Sequence, residues 1–291
     1  MINLLFTGND KIFDGLSLAL ISITKHCAED LNVYVLTMDL SEKNPNYKSL
    51  EASKVQALES LIKKINSNNK ITLIDITDIF KREYANSINI DTPYSPYSML
   101  RLLADEVKEI PDKILYLDID VLANGNIKEL YDYDVSNVEY GAVKDYYGKV
   151  FINPKYINSG VMLLNMKMIR ETGLFKKSRE YVNTHKMMFP DQTALNKCVT
   201  KRIYLPSKFN SQRKMHKRDV IRHFCKSIRW YPKLFTKKQS HREYCESMHK
   251  FWPFFHMVNI KPWHEEAVKK TLKCKQFNAV YAEHEEFKQS L

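Results

Sequence analysis

Two carboxylates one residue apart, Asp118 and Asp120, follow a mostly apolar run in the stretch ILYLDIDVLANGN (114–126). Side chains at alternate positions of an extended backbone project to the same side, so the two acids meet at the end of a predicted strand. They repel each other unless a divalent cation lies between or beside them. Oxygen ligands suit Mg²⁺ and Mn²⁺, and an added imidazole favours Mn²⁺. The alternatives are a solvated strand end or a helix cap, and the second D-x-D, Asp132 and Asp134, is predicted to consist of solvated turn acids.

Two further segments carry residues suited to ligand binding. The residues NSG at 158–160 are predicted to form a turn that feeds a strongly apolar strand over 161–164. Asp191 and Gln192 follow Pro190 at the predicted start of a helix. An acid at that position also serves simply as a helix cap, so its presence alone does not indicate a binding site.

These residues need elements to position them, and the chain alternates predicted strands with predicted helices. The predicted strands are 2–7, 31–39, 71–76 and the run before Asp118, and the predicted helices are 14–27, 47–65 and roughly 94–109. Alternation with short links predicts an α/β protein with a mostly parallel sheet. Ligands bind at the carboxyl ends of such strands, where GND at 8–10 also lies.

The composition bounds the class of protein. A chain of 291 residues that is 44 % apolar forms one large domain or a domain with an appendage. No run of 18 apolar residues predicts a membrane span, and MINLLFTGND is predicted to be a first strand rather than a signal peptide. Five widely spaced cysteines without a C-x-x-C argue against a disulfide framework or a thiolate zinc site, and they fit a reducing cytoplasm.

The net charge of +11 is concentrated in one segment. Residues 212–238 contain ten Lys or Arg and one acid, and aromatic residues lie between them. This pattern predicts binding to an anionic bilayer, where each cation contributes on the order of 1 kcal/mol. Nucleic-acid binding uses the same composition, and a solvated loop face is the third alternative. An approximate domain boundary is predicted near residue 210.

Several short motifs occur in a fixed order along the chain. They are FTGND (6–10), Y-S-x-L-R (97–101), YLDID (116–120), GAVKD (141–145), YINSGVMLLN (156–165), DQTALN (191–196), KFN (208–210), HFC (223–225) and KPW (261–263). Together they resemble glycosyltransferase family 8, the retaining enzymes of GT-A fold that use nucleotide-sugar donors. The resemblance covers most of residues 1–263.

The resemblance implies a fold and an activity. The fold is GT-A, a Rossmann-like α/β arrangement with a mixed, mostly parallel sheet flanked by helices. Residues 1–210 would form the catalytic domain, and a basic C-terminal extension over 211–291 would complete the site. The activity is retaining transfer of glucose or galactose from a UDP-sugar to a glycan acceptor, in lipopolysaccharide or capsule synthesis, with Mn²⁺ or Mg²⁺ activating the diphosphate leaving group. The enzyme would lie in the cytoplasm against the membrane and bind a lipid-linked acceptor but no nucleic acid.

The resemblance also assigns roles to residues. The implied metal ligands are Asp118, Asp120 and His223, and the implied catalytic residues are Gln192, near the anomeric carbon, and Asp191. The implied donor-binding residues are Thr7, Asn9, Arg101, Asp118, Ile119, Asp120, Asp145, Asn158, Ser159, Gly160 and Lys261. Retention usually suggests a carboxylate nucleophile, and a glutamine is a poor one. The leaving diphosphate would then guide the acceptor hydroxyl onto the same face of the sugar.

Two positions depart from the family pattern. The family motif H-(F/Y)-x-G-x-x-K-P-W is split here between HFCKSIRW (223–230) and HMVNIKPWH (256–264). His223 is the favoured third ligand because 220–224 is predicted to be a strand that delivers it, and His256 is the alternative. Lys11-Ile12 stands where the family often has an aromatic residue to stack on uracil.

Two other functions fit part of the sequence. Phosphohydrolases also place D-x-D after an apolar strand, and Val121-Leu122 fits their motif, but their motif usually lies near the N-terminus. The NSG and DQ segments would be unexplained in such an enzyme. The other alternative is a non-enzymatic basic module that binds nucleic acid or membrane.

Overall fold

The structure is a computed structural model that describes residues 1–90, 96–213, 216–225, 227–230, 255–258 and 275–291. Side chains are described for all of these except 227–230, 255–258 and 275–276. The predicted diphosphate contact Lys261 lies outside the described residues, as do 214–215, 226 and 231–238 of the basic segment. Within the described ranges, no helix combines the length and the apolar character that crossing a membrane requires.

Strands form the centre of the fold. The described residues contain β1 (Ile2–Thr7), β2 (Leu31–Thr37), β3 (Lys70–Asp75), β4 (Lys113–Leu117), β5 (Val121–Ala123), β6 (Tyr140–Lys144), β7 (Ile157–Asn165), β8 (Arg202–Tyr204), β9 (Ile221–His223), β10 (Ser227–Trp230) and β11 (Phe255–Val258). Seven of them form one sheet in the order β3-β2-β1-β4-β7-β6-β8. Strand β7 runs antiparallel to both neighbours, and the other pairs are parallel. The predicted mixed, mostly parallel sheet is confirmed.

Helices flank the sheet. The described residues contain α1 (Phe13–Thr24), α2 (Ala52–Lys63), α3 (Thr77–Tyr84), α4 (Lys128–Tyr131), α5 (Gly148–Phe151), α6 (Met166–Thr172), α7 (Leu174–Thr184), α8 (Pro190–Cys198) and α9 (Lys275–Gln289). The helices predicted at 14–27 and 47–65 are confirmed as α1 and α2 with shorter bounds. The helix predicted over roughly 94–109 is present as a 3₁₀ segment, Pro96–Glu106, rather than as an α-helix.

Strand β1 is buried on both faces, which explains its unbroken apolar run. Leu4 and Phe6 belong to one core cluster, which includes side chains of α1 and α2. Leu5 belongs to a second cluster, which includes the Pro96–Glu106 segment. Full burial of such a side chain contributes about 1.5–3 kcal/mol. The parallel half of the sheet is therefore a rigid base for the strand ends at residues 7 and 117.

One sequence prediction about the strands is wrong. Residues 158–160 do not form a turn but continue strand β7, and the turn precedes them at 153–156. Asparagine, serine and glycine favour turns, but here the Gly160 carbonyl accepts a hydrogen bond from the Asp118 backbone N–H at 2.8 Å. This tertiary contact keeps the backbone extended.

The second D-x-D matches its prediction. Asp132 and Asp134 are both exposed. Asp132 pairs with Lys128 one helical turn earlier, and Asp134 accepts a hydrogen bond from the Ser136 backbone N–H at 2.8 Å. These acids are solvated turn residues, so the two D-x-D motifs have different structural roles.

The C-terminal helix α9 packs where α1 meets the short strand pair β5 and β9. A small buried cluster joins them and consists of Leu18, Ile21, Leu122, Phe224, Phe277 and Val280. Strand β9 pairs antiparallel with β5. Helix α9 therefore supports the elements that carry residues 121–123 and 221–223.

A buried histidine also joins α9 to α1. His284 is 1 % exposed, and its Nδ1 lies 2.8 Å from the Ser17 hydroxyl. Because that hydroxyl donates to the Asp14 carbonyl at 2.9 Å, it accepts from the imidazole N–H. Burial lowers the pKa of His284, although the Asp14 carboxylate opposes the shift and Lys288 adds to it.

We expect acid to destabilise the protein through His284. Its pKa in the folded state lies below the unfolded value of about 6.5, so the unfolded chain takes up the proton more readily. This contribution to the free energy of unfolding is complete above about pH 6.5 and falls as the pH drops through the folded pKa.

Urea denaturation at about pH 7.5 and about pH 5.5 measures this effect. His284→Gln should reduce the difference between the two pH values, whereas the exposed control His216→Gln should retain it. Equal pH dependence in wild type and His284→Gln would contradict the assignment.

Candidate active site

Two acids and one histidine meet at the carboxyl end of β4. Among the residues that the structure describes, Asp118, Asp120 and His223 form a cluster whose potential ligand atoms all lie within 4.8 Å of one another. His223 Nε2 is 3.1 Å from Asp120 Oδ1 and 3.7 Å from Asp118 Oδ2. The imidazole is buried, whereas the two carboxylates are about a quarter exposed at 25 % and 23 %. The site therefore opens on its carboxylate side.

Strand pairing explains why His223 reaches the acids. Strand β5 begins directly after Asp120, and its first residue, Val121, lies opposite His223 in the antiparallel β5–β9 register. The Phe224 backbone N–H also donates to the Asp120 carbonyl at 2.8 Å. The prediction that a strand over 220–224 delivers His223 is confirmed.

Arg101 compensates the charge of Asp118. Its Nη2 donates to Asp118 Oδ1 at 2.7 Å, and the Tyr116 hydroxyl donates to the same oxygen at 2.7 Å. The guanidinium carbon also lies 4.2 Å from the centroid of the Tyr116 ring. These contacts hold Oδ1 on the protein side, and Oδ2 faces His223.

Arg101 also reaches the other end of the site. Its Nε lies 3.2 Å from Asp191 Oδ2, and its Nη1 donates to the Ser159 carbonyl at 2.5 Å. Burial raises the pKa of Asp191, and Arg101 opposes this shift. Burial acts to lower the pKa of Arg101, but Asp118 and Asp191 raise it overall. Arg101 thus joins β4, β7 and α8 through one charged side chain.

Gln192 and Asp191 lie in the first turn of α8, where Pro190 occupies the helix start as predicted. The Ser159 backbone N–H and hydroxyl both donate to Gln192 Oε1, at 3.0 and 3.2 Å. The Ser159 hydroxyl is also 3.5 Å from Asp191 Oδ2. The amide oxygen of Gln192 is thereby fixed against β7.

A chain of amide side chains orients the histidine. Asn158 Oδ1 accepts from the Gly160 backbone N–H at 3.0 Å and from Asn210 Nδ2 at 2.9 Å. A backbone N–H is only a donor, so these contacts determine which end of each amide points where. Asn210 Oδ1 then faces His223 Nδ1 at 3.1 Å and accepts a hydrogen bond from its N–H. When the imidazole is neutral, it therefore presents the Nε2 lone pair to the carboxylates.

The electrostatics of the cluster favour positive charge. Burial acts to lower the pKa of His223, but the carboxylates of Asp120 and Asp118 raise it overall. A proton on Nε2 and a cation beside it compete for the same two acids. The cluster is consequently a place where a cation is stabilised.

Gly160 allows the close approach of the ligands. A Cβ built at this position would lie 2.2 Å from His223 Cε1 and 2.7 Å from Asp118 Oδ2. Both distances are far below van der Waals contact. A side chain at residue 160 would therefore displace the histidine or the acid.

The remaining predicted residues lie around this centre. The Thr7 hydroxyl is 3.3 Å from the Tyr116 hydroxyl, and Asp145 Oδ2 accepts from Asn158 Nδ2 at 3.0 Å. Ile119 is partly exposed between the two acids. Asn9 is buried, and its side chain donates to the Asn46 carbonyl at 3.2 Å, so the structure records no contact between it and the cluster within the described part of the chain. The other predicted residues whose side chains are described come together at one site: Asp118, Asp120, His223, Arg101, Asn158, Ser159, Gly160, Asp191 and Gln192.

The favoured and alternative third ligands are placed differently. His223 belongs to the cluster, whereas His256 lies in strand β11 opposite Arg229 of β10. The side chain of His256 is outside the described part, so only His223 is tested by geometry.

Two residues without a predicted role contribute to the site. Tyr116 donates a hydrogen bond to Asp118 and lies two residues before it. The two-residue alternation of a strand could therefore have indicated that the two side chains lie on the same side. Asn210 orients His223 from a segment that precedes β9. No local pattern links Asn210 to its partner, although it belongs to the KFN motif at 208–210.

The chain belongs to glycosyl transferase family 8, whose family model matches residues 3–267. It is 24 % identical to a putative glycosyltransferase of Haemophilus influenzae over 225 residues, 72 % of this chain and 62 % of the relative. It is 26 % identical to a lipopolysaccharide 1,2-glucosyltransferase of Escherichia coli over 186 residues, 50 % of this chain and 55 % of the relative. The chain spans less than two thirds of the length of these curated relatives.

The fold is also similar to that of a solved structure. The galactosyltransferase LgtC, in complex with donor and acceptor sugar analogues, matches at a TM-score of 0.67 and 19 % identity, covering 97 % of this chain and 96 % of LgtC. The GT-A fold predicted from the motifs is confirmed. Membership of family 8 favours sugar transfer over the phosphohydrolase and over the non-enzymatic module.

The residues of the cluster fit the divalent metal that enzymes of this family typically use with a nucleotide-sugar donor. Two carboxylate oxygens and one imidazole nitrogen are ligands that Mn²⁺ accepts. The hydrogen bond from His223 Nδ1 to Asn210 is the outer support that metal-binding histidines have. The three side chains Asp118, Asp120 and His223 would hold the ion.

We expect Gly160→Ala to weaken Mn²⁺ binding by at least about tenfold, because the added methyl group displaces His223 or Asp118. Isothermal titration of the purified protein with MnCl₂ measures the affinity. Gly125→Ala is the matched control, since a Cβ there lies 3.6 Å from its nearest neighbours, atoms of Val220. Unchanged affinity in a folded Gly160→Ala protein would contradict the geometry.

We expect Asn210→Ala to lower Mn²⁺ affinity by about 10–100-fold, because the imidazole loses the acceptor that fixes its tautomer. Imidazole ¹⁵N chemical shifts at alkaline pH, where the imidazole is neutral, should show the Nδ1–H form of His223 in wild type and a mixture of forms in the variant. Asn3→Ala is the control, since Asn3 binds the Lys113 carbonyl at the opposite end of the sheet. An unaltered tautomer in Asn210→Ala would refute the role.

Proposed function

We propose that the protein is a retaining hexosyltransferase that moves glucose or galactose from a UDP-sugar to a glycan acceptor. The observation that supports this most is the cluster of Asp118, Asp120 and His223 at the strand ends of a family 8 chain. These three side chains would hold Mn²⁺ or Mg²⁺, which would supply positive charge to stabilise the diphosphate leaving group. Lys261, outside the described residues, is proposed as a second diphosphate contact.

The donor would lie along the carboxyl ends of β1, β4 and β7. Thr7 and Asn9, at the end of β1, are proposed to lie beside the uridine. Asp145, Asn158 and Ser159 are proposed to line the sugar and phosphate pocket with Gly160 and Ile119. Arg101 has its guanidinium nitrogens committed to Asp118, Asp191 and backbone carbonyls, so we assign it the positioning of the acids.

Retention is proposed to proceed without a carboxylate nucleophile. Asp191 is 6 % exposed and paired with Arg101, which makes it unsuited to attack on a sugar. Gln192 is partly exposed and would lie near the anomeric carbon, but an amide is a weak nucleophile. The bond from the anomeric carbon to the phosphate oxygen breaks, and that oxygen takes the proton of the acceptor hydroxyl. The hydroxyl oxygen then bonds to the anomeric carbon on the same face.

The relatives support the choice of sugar and of setting. The E. coli relative is a lipopolysaccharide 1,2-glucosyltransferase and LgtC is a galactosyltransferase, so glucose and galactose are the proposed donor sugars. We accordingly propose a role in lipopolysaccharide or capsule synthesis at the cytoplasmic side of the membrane. The basic residues over 212–238 are proposed to contact anionic lipid, with no role in binding nucleic acid.

A donor screen tests the proposal directly. UDP release is measured with UDP-glucose, UDP-galactose, UDP-N-acetylglucosamine and UDP-N-acetylgalactosamine, with Mn²⁺ and again with EDTA. We expect metal-dependent release with one of the two hexoses and no phosphatase activity. Release that persists in EDTA, or no release with any donor, would count against the assignment.

We expect Asp120→Asn to reduce turnover by at least about 10³-fold, because it removes a charged ligand of the ion that stabilises the leaving group. The matched control is Asp134→Asn in the second D-x-D, which should keep wild-type turnover because Asp134 is exposed outside the site. Circular dichroism establishes that both variants are folded. Substantial activity in Asp120→Asn would argue strongly against the mechanism.

A further inference from the structure

The segment over 146–152 exposes an unusual share of apolar surface. Its side chains Tyr146, Val150, Phe151 and Ile152 are 38 %, 68 %, 41 % and 56 % exposed. They are four of the ten exposed large apolar side chains among the described residues. Single exposed apolar residues need no explanation, but a contiguous group of them marks an interaction surface.

This segment is held in place from beneath. Asp145 Oδ1 accepts from the backbone N–H groups of Tyr147 and Gly148, at 3.1 and 2.6 Å. Gln212 Oε1 accepts from the Tyr146 backbone N–H at 2.8 Å. The exposed side chains are therefore presented by an ordered backbone, and a partner does not have to order it on binding.

Cations surround the apolar side chains. Lys144, Lys149, Lys155 and Arg213 are all exposed, and Asp145 is the single acid in residues 144–157. The carboxylate of Asp145 is engaged by the backbone and by Asn158. The surface of residues 146–152 with these four cations, here called the apolar platform, is consequently complementary to an anionic partner.

We propose that the apolar platform docks the protein on an anionic lipid bilayer. Val150 and Ile152, the most exposed apolar side chains of the segment, would enter the interface, and the cations would contact lipid headgroups. A glycan partner fits less well, because sugars stack on aromatic rings. Two cations already contact the Tyr146 ring: Lys149 Nζ lies 5.2 Å and the Arg213 guanidinium carbon 4.6 Å from the ring centroid.

The position of the platform has a consequence for the site. Asp145, which anchors the platform, binds Asn158, which belongs to the chain of amides that ends at His223. Docking therefore brings the edge of the active site to the membrane surface, where a lipid-linked acceptor would be carried. This orientation rests on the proposed function, whereas the membrane contact itself does not. Apart from Arg213, the platform lies outside the basic segment over 212–238.

Flotation of the full chain with vesicles tests the platform. The probes are vesicles of phosphatidylcholine alone and of phosphatidylcholine mixed with phosphatidylglycerol. We expect binding to the anionic vesicles, weakened by added salt, and little binding to phosphatidylcholine alone. Equal binding to both compositions would overturn the proposed charge complementarity.

Two pairs of substitutions separate the apolar and the charged contributions. Val150→Ser with Ile152→Ser should weaken binding to anionic vesicles by about tenfold or more. The control pair is Ile65→Ser with Ile88→Ser, which removes apolar side chains that are 50 % and 51 % exposed elsewhere. Equal vesicle binding by the platform pair and wild type would overturn the proposal.

The charged pair is Lys149→Glu with Lys155→Glu. Since a cation at the membrane surface is worth about 1 kcal/mol, or about fivefold, loss of two should cost roughly 25-fold or more. Lys167→Glu with Lys186→Glu makes the same charge change at exposed positions elsewhere and should bind more tightly than the platform pair. Equal losses in both pairs would show that net charge alone attracts lipid and would overturn the platform.

The same variants distinguish a glycan partner and a failed functional assignment. A raised KM for a soluble acceptor with unchanged vesicle binding would make the platform an acceptor site and refute lipid docking. Vesicle binding does not depend on turnover. Protein that shows platform-dependent vesicle binding but releases no UDP from any donor therefore supports the platform and refutes only the proposed function.

Discussion

The buried guanidinium of Arg101 is the interaction on which the rest of the site depends. It lies between Asp118 and Asp191, at 2.7 and 3.2 Å, in surroundings that largely exclude water. Leaving a buried charge without its partner costs about 3–5 kcal/mol, so the two acids and the arginine stabilise one another as a unit. Because Arg101 also holds the Ser159 carbonyl, one side chain determines how β4, β7 and α8 meet. The contacts within this unit fix the orientation in which Asp118 faces His223.

Much of the fold follows from patterns that are local in the sequence. The strands at 2–7 and 31–39 are buried apolar runs, and the edge strand at 71–76 is a partly buried one, so all three were predicted close to their bounds from their own residues. Asp118 and Asp120 lie close together as predicted, but on a turn at 119–120 that follows β4 rather than on the extended backbone that the prediction assumed. The strand order does not follow, because the antiparallel insertion of β7 between β4 and β6 depends on contacts between distant segments.

The difference between local patterns and contacts between distant segments also explains which site residues the sequence predicts and which it does not. Asn158 and Gly160 belong to turn-forming residue types, but they lie in a strand because their backbone and side chains bond to Asp118, Asp145 and Asn210. The tertiary bonds override the local preference. His223 was predicted because a motif and an apolar strand coincide there, whereas the support from Asn210 has no such signal. The roles of Lys261 and of Asn9 toward the donor stay predictions.

Because β5 pairs with β9, the cation site can be completed only late in the synthesis of the chain. The two acids are synthesised together, but the imidazole follows only after all of β6, β7 and β8. A nascent chain that stops before β9 carries the two carboxylates, one of them facing Arg101, but lacks the third ligand. Metal uptake in the cell would therefore report that synthesis and folding of this region are complete, and premature chains would be left without the ion.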